Sequence, residues 1–304
     1  MLMRKIIKLF VKVLLVAVLI VVAFLLVYSI SDYRPDEKKV VYSSETPDIV
    51  PKWAEIDILT WNIGFAGLGE DMDFFYDGGK AVRTTKNKFE ENSSQIAAYL
   101  ESCDTMEYIL LQEVDRDSKR SYHTDMFNDL SLSLPDYWPY FGLNYDVFFV
   151  PFPLNDPMGK VKSGLMSLSH AKPKKVCRFS YPGNFRFPKY LFMLDRCFLV
   201  NRYTLDSGED LIIINTHNSA YDDGSLRKLQ LLHLKNFILD EYIKGNYIIL
   251  GGDWNVTPPE FKPKYSSEVF DDKDFITIPS DLIPDDWKWV WDENIPTNRR
   301  LSAA

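Results

Sequence analysis

The sequence predicts a layered α/β protein in which β-sheets pack together and helices cover the outside, preceded by one N-terminal transmembrane helix. Short apolar runs rich in β-branched and aromatic residues alternate with fewer, longer segments that carry apolar residues at helical spacing. The N-terminal part also contains an apolar run long enough to cross a membrane. Composition permits a sizeable core, because 46% of the 304 residues are hydrophobic and 26% are charged.

The N-terminal apolar run covers residues 13–30, which we predict to be a transmembrane signal anchor. Basic residues precede it within residues 1–12, and the first acidic residue is Asp32, after the run. This charge asymmetry predicts a single-pass protein whose basic N-terminal tail is cytoplasmic and whose remaining chain is extracytoplasmic. A cleaved signal peptide would place the chain on the same side and stays open as an alternative.

Residues 31–52 are polar, contain three prolines and show no sustained periodicity, so we expect a linker there and a folded domain over residues 53–304. The net charge of −8 disfavours a protein that binds nucleic acid through bulk positive charge. The three cysteines have no zinc-ligand spacing. Cys177 and Cys197 could either pair or remain buried free thiols.

Seven short apolar runs predict the strands of the domain, and two amphipathic segments predict helices. The predicted strands are 56–61, 108–111, 146–150, 164–168, 197–200, 211–214 and 247–250. The predicted helices are 85–100 and 225–242, the second with Ser225 as its N-cap. Strands mixed with a few helices indicate sheets that pack on each other beneath a helical cover.

Four of these strands end in polar side chains that a purely structural strand does not need. They are Asn62, Glu113, His217 and the pair Asp253 and Asn255. A carboxylate at the end of a buried strand is costly unless it is paired or binds a metal ion. Carboxylate and amide oxygens suit Mg²⁺ and do not suit zinc. Each residue alone could instead be a turn cap, a surface residue or a hydrogen-bonded structural histidine, but together they favour a site.

These strand ends resemble the motifs of the endonuclease/exonuclease/phosphatase superfamily, whose members include deoxyribonucleases, abasic-site endonucleases, sphingomyelinases and inositol-polyphosphate 5-phosphatases. The resemblance covers most of residues 56–300. Arg227 and Gln230 match an Arg-x-x-Gln that often follows the family's histidine. The matching segments are Leu59–Gly64, Leu111–Val114, Ser163–Ser169, Asn215–His217 and Gly251–Asn255.

The resemblance implies an α+β fold, a four-layered sandwich of two mainly antiparallel β-sheets flanked by helices. It implies a divalent-metal-dependent hydrolase of phosphodiester or phosphomonoester bonds, in which metal-assisted water attacks in line. Glu113 would bind Mg²⁺ or Mn²⁺, with Asn62 beside it. Asp253 would orient or deprotonate the water, and Asn255 and His217 would bind phosphate oxygens. No organic cofactor is implied.

The substrate class stays open between nucleic acid, a phospholipid headgroup and an inositol or sugar phosphate. The sequence departs from the family near its C-terminus, because nothing after Asp292 matches the family's late aspartate and closing Ser-Asp-His. We therefore expect the domain to lack its last strands, with impaired activity in a truncated chain. A divergent protein with a replaced base is an alternative. A non-catalytic, membrane-tethered binding protein that retains the fold is the second functional hypothesis.

Overall fold

A computed structural model of the protein describes residues 2–69, 72–259, 277–280, 282–284 and 286–291. The structure begins with helix α1 (Leu2–Ser31), which is long and apolar enough to cross a membrane. The expectations for the segment after Asp292, including the expected absence of the final strands, lie outside the described residues.

The described residues form ten strands and three further α-helices. The strands are β1 (Lys38–Ser43), β2 (Ile49–Val50), β3 (Ile58–Asn62), β4 (Tyr108–Asp115), β5 (Trp138–Val150), β6 (Gly159–Ser169), β7 (Lys175–Ser180), β8 (Cys197–Leu205), β9 (Asp210–His217) and β10 (Tyr247–Asp253). The helices are α2 (Lys86–Ser102), α3 (Met126–Ser133) and α4 (Ser225–Ile243). Helix α2 is capped by Thr85, whose side chain accepts a hydrogen bond from the Lys88 amide.

The strands form two sheets, in which most pairings are antiparallel. One sheet has the order β3-β4-β6-β5, and the other has the order β1-β7-β8-β9-β10, with β2 paired to β8. Parallel pairing is found between β3 and β4, between β9 and β10, and between β2 and β8. The two longer parallel pairs matter for function, because each brings the carboxyl ends of two strands to one edge of its sheet.

The sheets pack face to face, and helices cover their outer faces. Leu110 of β4 and Ile213 of β9 share one buried cluster between the sheets. Leu111, the next residue of β4, points outward into a cluster with side chains of α2 and α3. Ile214 of β9 likewise points outward, toward Leu234 of α4. The order of layers is therefore helix, sheet, sheet, helix, which confirms the predicted four-layered α+β sandwich.

The segment expected to be a linker contributes two strands to the second sheet. Strand β1 pairs antiparallel with β7, and β2 pairs parallel with β8. The expectation for residues 31–52 therefore differs from the structure, in which the sheet begins at Lys38. Strand β1 has only three consecutive apolar residues and is largely exposed at the sheet edge, so it lacks the periodicity that signals a strand.

Cys177 and Cys197 are buried free thiols, so the structure favours the second of the two alternatives. They lie on the neighbouring strands β7 and β8, but Cys177 is opposite Val200 and Cys197 is opposite Ser180. The two cysteines are therefore out of register and are not directly opposed.

Candidate active site

The carboxyl ends of β3 and β4 meet those of β9 and β10 at one edge of the sandwich. The Nδ2 atom of Asn62 donates to Glu113 Oε1 at 3.1 Å and to Asp253 Oδ2 at 2.8 Å. Asn62 and Glu113 belong to one sheet and Asp253 to the other. One side-chain amide therefore joins two carboxylates across the two sheets.

Period-two alternation explains why three of the predicted residues face the same space. Leu110 and Ile213 point into the space between the sheets. Counting by two along each strand places Asn62, His217 and Asp253 on these inner faces. Because all three are the last residues of their strands, they line the rim of the inter-sheet core.

Glu113 reaches the same rim only because β4 contains a bulge. Alternation would turn Glu113 to the outer face, with Leu111. The pairing of β4 with β6 shifts register between Leu111 and Val114, and Glu113 has φ of 56°. A bulge adds one residue to a strand and redirects its side chains. A positive φ is uncommon for a residue other than glycine, so the fold holds Glu113 in an unusual conformation to place its carboxylate here.

The Glu113 carboxylate lies in a poorly solvated environment. Burial raises the pKa of Glu113, and the nearby Arg120 guanidinium and the Asn62 amide partly oppose this rise. Arg120 itself is committed to Asp115, with which it forms two hydrogen bonds of 2.9 and 3.0 Å. Glu113 forms no salt bridge among the described residues, although Arg120 and Arg196 lie near it. A buried carboxylate without a direct ion pair is suited to binding a metal ion.

His217 is 2% exposed, and its neutral form is favoured. Burial holds the pKa of His217 well below its ordinary value, and the cationic Arg196 and Arg120 lower it further. Its Nε2 atom lies 3.7 Å from Asp253 Oδ2, which is too long for a hydrogen bond. The two side chains are therefore neighbours and do not form an ion pair. The buried Nδ1 atom of His217 has no hydrogen-bond partner in the part of the chain that the structure describes.

Asn255 lies beside Asp253 in a tight turn. Its backbone amide donates to Asp253 Oδ1 at 3.0 Å, and its φ is 51°. Its Nδ2 atom donates to the carbonyl oxygen of Asn218 at 2.9 Å. One amide hydrogen thus fixes the loop after β9. The other has no partner among the described residues and could bind a substrate oxygen.

Arg227 and Gln230, the two matching residues on α4, hold the loops around the site. Arg227 Nη1 donates to the Asn255 carbonyl oxygen at 3.0 Å. The Gln230 side chain accepts from the Ser219 amide and donates to the Ser219 hydroxyl, both at 2.8 Å. These contacts explain the spacing of the two residues, because one helical turn separates side chains that support two adjacent loops.

Two further motif residues join the sheets beneath the site. Gln112 Nε2 donates to Asn215 Oδ1 at 2.8 Å. Asn215 Nδ2 donates to the carbonyl oxygens of Leu111 and Met166, both at 3.0 Å. Because all of these groups are buried and hydrogen-bonded, they fix the register of one sheet on the other.

Arg196, which lies in the loop before β8, is a site residue that the sequence did not predict. Burial lowers the pKa of Arg196, while the Glu113 and Asp253 carboxylates oppose this change, so all three charges are close. Its Nη1 atom is shielded from solvent and has no hydrogen-bond partner within the described ranges. The only sequence signal is a charged Asp195-Arg196 pair immediately before an apolar strand, which ordinarily indicates a solvated loop.

The donor set fits a hard divalent cation. No group of three or more histidine, cysteine, aspartate or glutamate side chains among the described residues could hold a metal ion. Mg²⁺ does not need such a group, because it retains several waters and uses one or two carboxylates together with substrate phosphate. The Glu113 carboxylate, with the Asn62 amide beside it, meets this requirement.

The chain belongs to the endonuclease/exonuclease/phosphatase family, whose family model matches residues 59–300. This match includes every site residue described above. It confirms the family that the strand-end motifs predicted. No curated protein matches the sequence.

Solved structures with a similar fold include an endonuclease/exonuclease/phosphatase from Beutenbergia cavernae, with 20% identity and a TM-score of 0.46 over 66% of this chain and 48% of that one. ANGEL2, a 2',3'-cyclic phosphatase, has 16% identity and a TM-score of 0.47, and the match covers 75% of this chain and 58% of that one. The human Nocturnin catalytic domain has 17% identity and a TM-score of 0.44, and the match covers 73% of this chain and 70% of that one. The chain thus spans about half the length of the first two structures it matches.

Proposed function

We propose that this protein is a divalent-metal-dependent hydrolase of phosphodiester or phosphomonoester bonds. One observation carries the proposal: Glu113 and Asp253, from different sheets, share the Asn62 amide at distances of 3.1 and 2.8 Å. Two carboxylates held together in a poorly solvated rim repel each other, and a bound divalent cation would relieve this repulsion more fully than the nearby Arg196 does. Family membership supports phosphate-ester hydrolysis as the reaction class.

The site residues divide the chemistry of hydrolysis among them. Asp253 orients the attacking water and accepts its proton, because its carboxylate faces the rim beside His217. Neutral His217 and the second amide hydrogen of Asn255 donate to phosphate oxygens as negative charge develops there. Arg196 supplies a buried positive charge with an unpaired donor, which suits a phosphate oxygen.

Glu113 would hold Mg²⁺ or Mn²⁺, with Asn62 orienting the Glu113 carboxylate through its amide. When bound, the cation would supply positive charge against the phosphate and lower the pKa of coordinated water. The strained backbone of Glu113 is consistent with this role, because strained residues cluster at functional sites.

The membrane location is part of the same proposal. Helix α1 supports a single-pass protein. The basic residues before its apolar run favour an N-terminus in the cytoplasm and a catalytic domain outside. Residues 13–30 would lie in the bilayer, and residues 1–12 would form the cytoplasmic tail. The phosphate ester would then be extracytoplasmic, and it could be a nucleic acid, a phospholipid headgroup or a soluble inositol or sugar phosphate.

A substrate screen tests the proposed reaction. The full chain would be assayed on bis-p-nitrophenyl phosphate, p-nitrophenyl phosphate, DNA and sphingomyelin, with Mg²⁺ and with EDTA. We expect hydrolysis of at least one substrate with Mg²⁺ and none with EDTA. Hydrolysis that survives EDTA would contradict the metal-dependent mechanism.

The non-catalytic binding protein remains the alternative, and one observation favours it. His217 Nδ1 lacks a hydrogen-bond partner within the described part of the chain, so nothing there fixes the imidazole tautomer. This alternative predicts no hydrolysis of any of the four substrates under any metal condition, together with saturable binding of a phosphate ester. Hydrolysis that is lost on substitution of Glu113 would exclude it.

A further inference from the structure

The C-terminal end of α1 is packed against the catalytic domain. Tyr28 is 3% exposed, and its ring centroid lies 4.3 Å from that of Phe148 and 4.8 Å from that of Phe192. Its hydroxyl donates to the carbonyl oxygen of Phe149 at 2.5 Å. The helix is thus held against the tip of the β5–β6 hairpin and the segment before β8, which fixes the domain relative to the helix axis.

The depth of this contact along α1 is informative. Phe24 stacks on Phe192, with ring centroids 6.2 Å apart. Phe24 precedes the end of the apolar run at Ile30 by six residues, which corresponds to about 9 Å along the helix axis. If residues 13–30 lie in the bilayer, Phe192 cannot lie above the membrane surface. The depth of Phe192 in the bilayer would then agree with that of amphipathic segments at the membrane interface, whose apolar face lies about 5–10 Å deep in the boundary between headgroups and acyl chains.

Apolar side chains around this contact are exposed to solvent. We call this surface the aromatic face, and it consists of Phe148, Phe149, Phe152, Leu154 and Phe187. These side chains are between 38% and 80% exposed, even though the ring of Phe148 also contacts Tyr28 of α1. Single apolar residues are normal on the surface of a soluble protein, but clusters of them are not. An exposed apolar cluster of this kind therefore marks an interaction site.

Basic side chains border the aromatic face. Arg186 and Lys189 flank Phe187 and are exposed. The Lys189 ammonium group lies 3.9 Å from the ring centroid of Phe185. Arg34 follows α1 directly and pairs with Asp32. Aromatic rings with adjacent basic groups are typical of the membrane–water interface, where headgroup phosphates pair with the cations.

The aromatic face lies at the same end of the sandwich as the candidate active site. Strand β6 pairs with β4 up to Asp115, opposite Ser163, which is two residues beyond Glu113. From there β6 continues in its pairing with β5 to Gly159, opposite Val150. The hairpin tip therefore projects beyond the end of β4 that carries Glu113.

We propose that the aromatic face inserts into the outer interface of the bilayer that α1 spans, so that the catalytic domain is seated on the lipid surface. The inference rests on the membrane location proposed above. It adds a second, interfacial attachment and places the active-site end of the domain toward the leaflet.

Depth-dependent fluorescence quenching tests the inference on the full chain in phosphatidylcholine vesicles containing phosphatidylglycerol. Single cysteines would be introduced at Leu154, Leu132 and Val18 in a Cys103→Ser background and labelled with an environment-sensitive fluorophore. Cys177 and Cys197 are buried and free, so they should not label in the folded protein. Leu132 is a matched control, because it is 73% exposed near the start of β5, at the opposite end of that strand from the hairpin tip.

We expect blue-shifted emission and quenching by doxyl lipids for the Leu154→Cys label, and neither for the Leu132→Cys label. The Val18→Cys label should be quenched whenever α1 is inserted. If the label at position 18 is quenched but the labels at positions 154 and 132 show the same emission and quenching as each other, the insertion of the aromatic face is overturned and the membrane location stands. Absence of quenching at position 18 would overturn the membrane location, and the inference with it, while leaving the phosphoesterase proposal intact.

Discussion

Asn62 and Asp253 stand 191 residues apart at the ends of strands in different sheets, yet the Asn62 amide donates to the Asp253 carboxylate at 2.8 Å. The same amide also donates to Glu113 at 3.1 Å. Asn62 is therefore the group that sets the distance between the two carboxylates. Its carbonyl oxygen accepts from the Gly64 amide at 3.0 Å, which fixes which end of the side-chain amide faces the acids.

The Glu113→Gln substitution should abolish stabilisation by Mg²⁺. A ligand that binds only the folded state stabilises it by about 2.7 kcal/mol at a hundredfold excess over its Kd. We expect Mg²⁺ to raise the Tm of the wild-type protein and to leave that of Glu113→Gln unchanged. Glutamine can still accept the Asn62 hydrogen bond, so the fold should persist. The exposed Glu101→Gln variant is the control, and an equal Mg²⁺-dependent shift in all three proteins would refute the role of Glu113.

Replacement of Arg196 by lysine should reduce kcat/KM by about 10²–10³-fold, because a guanidinium fork that can bind two phosphate oxygens is replaced by a single ammonium group. Thermal unfolding should show that the variant is folded. Arg116→Lys is the matched control, since Arg116 lies outside the rim and pairs with Asp125. Hydrolysis by Arg196→Lys at the wild-type rate would show that this guanidinium does not contact the substrate.

The buried ion pair between Asp115 and Arg120 should make a large difference to stability. Their side chains are 0% and 7% exposed, and the Arg120 guanidinium lies 3.9 Å from the ring centroid of Phe65. Asp115→Ala should lower the free energy of unfolding by about 3–5 kcal/mol, because it leaves a buried cation unpaired. Glu91→Gln, which breaks an exposed pair on α2, should have a much smaller effect in the same urea titration. Equal losses of unfolding free energy in Asp115→Ala and Glu91→Gln would contradict the burial of the Asp115–Arg120 pair.

Stability should depend on the ionisation of Asp195. Burial and, to a smaller extent, the negative charge of Asp32 raise the pKa of Asp195 to about 7. Its pKa in the unfolded chain is about 3.9. Because the folded state binds the proton more tightly, this contribution to stability is complete below about pH 4 and is lost as the pH rises through about 7. Asp195→Asn should therefore flatten the pH dependence of the unfolding free energy between these values.

Urea unfolding of the full chain in detergent micelles measures this pH dependence. The exposed Asp240→Asn variant on α4 is the control and should follow the wild-type curve. Identical slopes for the wild-type protein and Asp195→Asn would show that Asp195 titrates at its ordinary pKa in the folded protein.

The sequence predicted the fold and much of the candidate site because the relevant signals are local. Asn62, His217 and Asp253 each end an apolar strand, and the strand period alone determines which face they occupy. The structure brings these three residues and Glu113 together at one rim. Their catalytic and metal-binding roles remain predictions.

Other features could not be predicted because they depend on tertiary contacts. The direction of Glu113 depends on a bulge whose register is set by the neighbouring strand β6. Arg196 comes near the acids only through the tertiary fold, and a charged Asp195-Arg196 pair gives no sign of burial in the sequence. Strand β1 is too short to show the alternation of apolar and polar residues that signals a strand. It forms because the edge of β7 offers unpaired backbone groups to which it can hydrogen-bond.

Hydrolysis of bis-p-nitrophenyl phosphate by Asp253→Asn, beside the wild-type protein and with Mg²⁺ present, tests the central claim most directly. Asparagine has nearly the same shape and can still accept the Asn62 hydrogen bond, but it cannot accept a proton from water. We predict Mg²⁺-dependent hydrolysis by the wild-type protein and a loss of at least about 10²-fold in the folded variant. A folded Asp253→Asn protein that hydrolyses the ester at the wild-type rate would contradict the account.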